Sequence, residues 1–272
     1  MNLSMLSSAA LVGVLTAALL FWLCKKKKIE RWLALGLFIA VQLIWSQVYS
    51  VLAQDRLRDD PQRVQQLVRQ EFDKIPLMVT LQQKEPEARA AMENTAREAI
   101  EQGLTTQQAI DQIQVAMAEM IGKRVRFAPD DTLNQYMNVT LQQMQDLQAK
   151  GDSLCFKLLF PQAGGGIDAS KYNPPELIQQ RLATDNQLVL ASYEQPQRNS
   201  AEQDLQASLQ VQRILQQLGQ KYGDDLKMLV PPQRNDVDHK RVCEIATDFY
   251  QQIQALPPVQ SAQILRVVLA TQ

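Results

Sequence analysis

His239 is the only imidazole in this chain of 272 residues, and Cys243 follows it by four positions, so a helix through the segment places both on one face. An imidazole beside a thiol can take its proton and leave a thiolate nucleophile, which is the chemistry of a cysteine hydrolase. With Cys155 and either Asp236 or Asp238, the same two residues could supply metal ligands, although no second C-x-x-C or H-x-x-x-H element supports that. A third account needs no catalysis. In an oxidising compartment Cys155 and Cys243 pair economically as a disulfide. Closing a loop of roughly 90 residues stabilises the fold by up to about 4.6 kcal/mol in the chain-entropy picture.

Other spacings point to less. Gly164-Gly165-Gly166 could cradle an anion with backbone N–H groups, but no lysine follows in a phosphate-loop arrangement and no strand clearly precedes it, so the run reads as a flexible loop. Asp236 with Asp238, and Asp130 with Asp131, offer oxygen ligands, yet the twelve-residue calcium loop with its closing glutamate is missing. They read as charges at helix starts. Lys123, Arg124 and Arg126 beside Phe127 form a small basic patch, by default a solvated helix end. There is no G-x-S-x-G, no H-E-x-x-H and no dinucleotide fingerprint, and nothing singles out two acids for glycoside hydrolysis. The expectation is no cofactor and no resident metal, with His239 and Cys243 as the one catalytic pair that spacing offers.

The elements that must carry these residues divide sharply by composition. With 28 basic against 29 acidic side chains there is no global positive field, so nucleic acid is not an expected partner. Three cysteines are too few for a small disulfide framework. Residues 1–24 and 32–54, however, contain no charged side chain at all. The stretch Leu3 to Cys24 has 22 residues, and a helix of that length rises about 33 Å, enough for a hydrocarbon core of about 30 Å. Residues 32–53 match it. Between them the turn 25–31 holds Lys25, Lys26, Lys27, Lys28 and Arg31, so the spans form an antiparallel hairpin whose basic turn stays in the cytoplasm by the positive-inside tendency. Trp22, Trp32, Trp45 and Tyr49 fall where interfacial aromatics belong. Gln42, Ser46 and Ser50 lie four apart and make a polar stripe in the second span, suited to packing on the first or to docking a partner helix. Val51-Leu52-Ala53 has the small-residue look of a signal-peptidase site, but the preceding apolar run exceeds an ordinary signal peptide.

Residues 54–272 carry 23 basic and 28 acidic side chains and 37 glutamines, which suit wet helix faces. Thr105 or Thr106 starts a helix with Ile110, Ile113, Met117 and Met120 on one stripe, ended by Gly122. Pro129-Asp130 opens the next, with Leu133, Met137, Leu141, Met144 and Leu147 on its apolar face and Gly151 as its stop. Ser200 with Gln203 resembles a capping box, and Leu205, Leu209, Val211, Ile214, Leu215 and Leu218 follow before Gly219. Val242, Ile245, Phe249, Ile253 and Leu256 repeat the pattern near the end. Further helices are expected at 61–74, 86–102, 175–192, 221–229 and 259–270. Only 154–160 and 188–190 have extended character. The fold class is therefore all-α: a transmembrane hairpin over 1–54, then helical subdomains at 55–160 and 176–272 packed as one soluble domain across a Gly/Pro-rich loop at 161–175.

These features suggest a bacterial inner-membrane protein whose helical domain lies on the periplasmic side and captures a protein partner, as an immunity or envelope-assembly factor. Its expected partners are the lipid bilayer and another protein. The alternatives are an envelope hydrolase using Cys243 with His239 or an acidic pair, and a cytoplasm-facing signalling or complex subunit should the hairpin be inverted.

Overall fold

The computed structural model describes residues 61–229 and 237–270. The two expected spans, the basic turn with Lys25 to Lys28 and Arg31, and the stripe Gln42, Ser46 and Ser50 all lie outside the described residues. The chain divides into two compact units, Met1–Val64 and Gln65–Gln272. Among the described residues every regular element is helical, and no helix is long and apolar enough to cross a membrane.

The helices are α1 (Pro61–Phe72), α2 (Pro76–Lys84), α3 (Pro86–Glu101), α4 (Thr106–Val125), α5 (Asp130–Lys150), α6 (Leu154–Leu159), α7 (Pro161–Gly164), α8 (Pro175–Glu194), α9 (Ala201–Tyr222), α10 (His239–Gln254) and α11 (Pro258–Leu269). Short 3-10 turns cover Ala169–Lys171 and Gly223–Leu229. Their starts follow local chemistry. Proline opens α2, α3, α7, α8 and α11, where its missing N–H costs nothing and its fixed φ already suits a helix. Thr105 with Gln108 and Ser200 with Gln203 form reciprocal capping boxes on α4 and α9. Between α3 and α4, Gly103 adopts φ +69°, and the N–H groups of Gly103 and Leu104 donate to Ile100 O and Ala99 O, the Schellman arrangement that closes a helix end.

Helix α5 is the centre of the second unit. Its face of Leu133, Met137, Met144 and Leu147 is fully buried, and it packs against α6, α8, α10 and α11. Helix α8 bridges α5 to α2 and α4, while α9 lies on α10 and α11. Two arginines, Arg181 half-buried and Arg266 buried, lock these contacts. Arg181 of α8 sits 2.7 Å from Asp185 and donates to Tyr136 Oη, Thr140 Oγ1 and Gln143 Oε1 of α5. Arg266 of α11 donates to Ala128 O, Asn199 Oδ1 and Asp130 Oδ1, which ties the chain ahead of α5 and the chain ahead of α9 to one side chain. These charges are tolerated with little water around them because a carboxylate and several hydrogen-bonding oxygens meet each guanidinium.

The structure corrects several boundaries. The segment 154–160, expected to have extended character, is helix α6 followed by Phe160, and 188–190 lies inside α8. Gly122 and Gly219 do not stop their helices, which run on to Val125 and Tyr222. The stop after α9 is Gly223, whose φ of +57° a side chain would resist. The region expected to be helical at 221–229 is the last turn of α9 and a 3-10 segment. The loop at 161–175 holds α7 and a 3-10 turn.

Candidate functional site

The Cys-His segment is set by Asp238, whose carboxylate accepts the Arg241 N–H at 3.0 Å and so starts α10 at His239. This fulfils the helix-start role expected of Asp238; Asp236 lies outside the described residues. One turn on, Cys243 meets Cys155 of α6 at disulfide distance, with Cα atoms 6.1 Å apart and both side chains fully buried. The His239 ring stacks on Phe156, the residue after Cys155, with centroids 4.0 Å apart and planes 7° from parallel. Its Nε2 is buried without a hydrogen-bond partner. The three candidates are therefore brought together, but as a packing cluster that pins α6 to α10. A sulfur joined to another sulfur cannot act as a thiolate, and a thiol this deep is shielded from substrate.

The remaining candidates have structural occupations. Gln114 of α4 holds the glycine run with both ends of its amide, donating to Ile167 O at 2.6 Å and accepting the Ile167 N–H at 3.2 Å. Asp111 presses against Gly166 so closely that a Cβ there would lie 2.7 Å from its Oδ1. Instead of an anion cradle or a loose loop, the run leaves α7 at Gly164 and passes close beside a carboxylate at Gly166. Asp130 pairs with Arg266 at 2.6 Å, and Asp131 accepts the Thr132 N–H. Among the described residues no group of three His, Cys, Asp or Glu side chains could hold a metal. In the basic patch, the Arg124 guanidinium lies 3.6 Å from the Tyr193 ring centroid and donates to Ser192. Burial and a hydrogen bond to Glu85 push the Tyr193 hydroxyl up to about 12. Phe127 receives guanidinium groups from both Arg124 and Arg198.

Two clefts flank α10. The first, of about 380 Å³, is polar. Lys221 and Tyr222, from the end of α9, both donate to Asp248 of α10, at 2.7 and 2.9 Å. Arg241 bonds Asp225 and Glu244, and its guanidinium, like the Lys221 ammonium, lies 4.9 Å from the Tyr222 ring centroid. Burial alone would raise the Asp248 carboxyl, but the two donors and the lysine charge outweigh it and hold the group below its ordinary range. The charges of this cleft are thus matched internally.

The second cleft, of about 450 Å³, is apolar. Phe160, which follows α6, lines it together with Ala246 and Phe249 of α10 and Val211 and Leu215 of α9. The Cys155–Cys243 contact joins α6 to α10 beside it. Ser208 and Gln212 of α9 also line this cleft, and by helical geometry they lead round to Leu205 and Leu209, which are 59% and 38% exposed. Leu205 and Leu209 stand on the surface although they continue the apolar pattern of α9. The signal was present in the sequence: the six apolar residues of α9 spread over about 220° of its circumference, far wider than the roughly 100° stripe a surface helix needs to bury.

No protein-family model matches the chain, and comparisons with curated proteins and with solved structures find no match either.

Proposed function

We propose that the chain is a membrane-tethered helical binding module, held on the extracytoplasmic side of a bacterial inner membrane, that captures a protein partner as an immunity or envelope-assembly factor. The observation that carries the reading is the apolar surface of α9. Leu205 and Leu209 lie one turn apart in solvent, on the same helix that supplies Ser208, Val211, Gln212 and Leu215 to the apolar cleft, and exposed apolar surface of this kind is a mark of an interaction site. The placement is supported by the two uncharged stretches around a lysine-rich turn, and by Cys155 and Cys243 at disulfide distance, since such pairs persist in oxidising compartments. A tether would raise the local concentration of module and partner at the membrane.

Two measurements test the reading. A phosphatase reporter fused after Gln272 should be active and a cytoplasm-dependent fluorescent reporter dark; the opposite pattern supports the cytoplasm-facing alternative. A photo-crosslinking residue at Leu209 should trap one discrete protein adduct in cells, and the same group at Val79, exposed on α2, should not. Equal adduct patterns at both positions would remove α9 as the docking face. The Cys243–His239 form of the hydrolase alternative requires a free Cys243 thiolate, so its survival depends on that thiol reacting with an alkylating agent in the folded, unreduced chain; the acidic-pair form is tested instead by turnover in the purified chain.

A further inference from the structure

The apolar cleft has a size and chemistry that specify more than a sticky surface. Its volume is about 450 Å³, within the roughly 300–1,000 Å³ of small-ligand sites. One turn of α-helix with its side chains, a cylinder 10–12 Å across and 5.4 Å tall, fills about 500 Å³, so a partner helix could seat at most a single turn there. A flexible chain of methylenes has no such minimum width. At about 30 Å³ per group, the volume of a water molecule in the liquid, the cleft holds on the order of 15 groups, comparable with one fatty tail.

The wall chemistry agrees. No charged side chain lines the cleft, and its polar lining includes Ser208, whose hydroxyl is already given to Asp204 O at 2.8 Å, and Gln212, which is exposed. A ligand rich in polar atoms would lose hydrogen bonds to water on entering and regain few. An aliphatic tail loses nothing, and each methylene buried is favourable. Gln212 can meet the polar end of such a molecule without drawing it inside. The cysteine contact gives the site rigidity, because it fixes α6, and with it Phe160, against the α10 residues Ala246 and Phe249.

We infer that the cleft between α6, α9, α10 and α11 binds a single-chain amphiphile, a long-chain fatty acid, with its tail among Phe160, Val211, Leu215, Ala246 and Phe249 and its head beside Gln212. This goes beyond the protein-capture reading and does not require it.

The test uses the full-length chain in nanodiscs with a diazirine-bearing palmitic acid, followed by irradiation and peptide mapping. Label is expected on peptides from α9 and α10, and a tenfold excess of unlabelled palmitate should reduce it by at least five-fold. Val211→Trp fills the cleft and should lower that label at least ten-fold, while Val79→Trp leaves it unchanged. Circular dichroism verifies that both variants remain helical. Label absent from these peptides, or unaffected by competitor in the wild type, overturns the inference whether or not Val211→Trp folds. A parallel arm with a diazirine phospholipid should label these peptides at least ten-fold less; equal labelling overturns the single-tail assignment. A protein adduct at Leu209 without any lipid label would leave the capture reading standing and this one refuted.

Discussion

Gly166 occupies a position where only a hydrogen atom fits. A Cβ would lie 2.4 Å from Gln114 Oε1 and 3.2 Å from Asp111 Cα, and Gln114 cannot swing aside without releasing Ile167. Gly166→Ala should therefore destabilise the fold by about 1–3 kcal/mol, the range for forced overpacking, as read by urea unfolding. Asp248 offers a pH-dependent counterpart. Its carboxyl is held below the ordinary 3.8 by Lys221 and Tyr222 against the opposing effect of burial. A carboxylate lowered on folding contributes stability that is complete above its unfolded value and fades as pH falls through the folded one. The stability gap between wild type and Asp248→Asn should be largest at neutral pH and should shrink below pH 3.8. Unfolding curves at pH 7 and pH 3 check this; a gap independent of pH would show that the pairing adds nothing.

Helix starts were the most legible elements, because a capping box is written within four consecutive residues. Ser200 and Gln203 illustrate it: the Ser200 hydroxyl accepts the Gln203 N–H at 3.2 Å, and Gln203 Oε1 accepts the Ser200 N–H at 2.7 Å. Ser200→Ala should cost about 1 kcal/mol, measured as a lower urea midpoint with an unchanged slope. Helix α6 was harder to read. Six residues are too few to display a 3.6 period, and its Phe156 and Cys155 are there for the tertiary contacts they make with His239 and Cys243. Glycine was an unreliable stop signal, since Gly122 and Gly219 stay in helical geometry while Gly223 takes the left-handed turn. Of the two clefts, the apolar one was foreshadowed by the excess apolar arc on α9. The polar one was not, because Gln148, Lys221, Arg241 and Asp248 come from three helices and no local spacing relates them.

At the scale of the molecule, the cysteine pair at disulfide distance is the contact that sequence separation makes consequential. Cys155 and Cys243 are 88 positions apart and join α6 to α10 across the packed unit. Denatured without reductant, the full chain should titrate one thiol, that of Cys24, and three after reduction. Three thiols before reduction would mean that the pair is not oxidised and would withdraw support from an extracytoplasmic placement. Replacing both Cys155 and Cys243 with alanine should cost about 2–5 kcal/mol, the usual range for losing a native cross-link.

That same tie bears on survival wherever a peptidase reaches the folded unit. A nick at any exposed bend between positions 155 and 243 would leave both pieces chained together, free to re-form the same packed unit. Only a reductant would let them drift apart, so gels run with and without one should tell a cut molecule from a lost one.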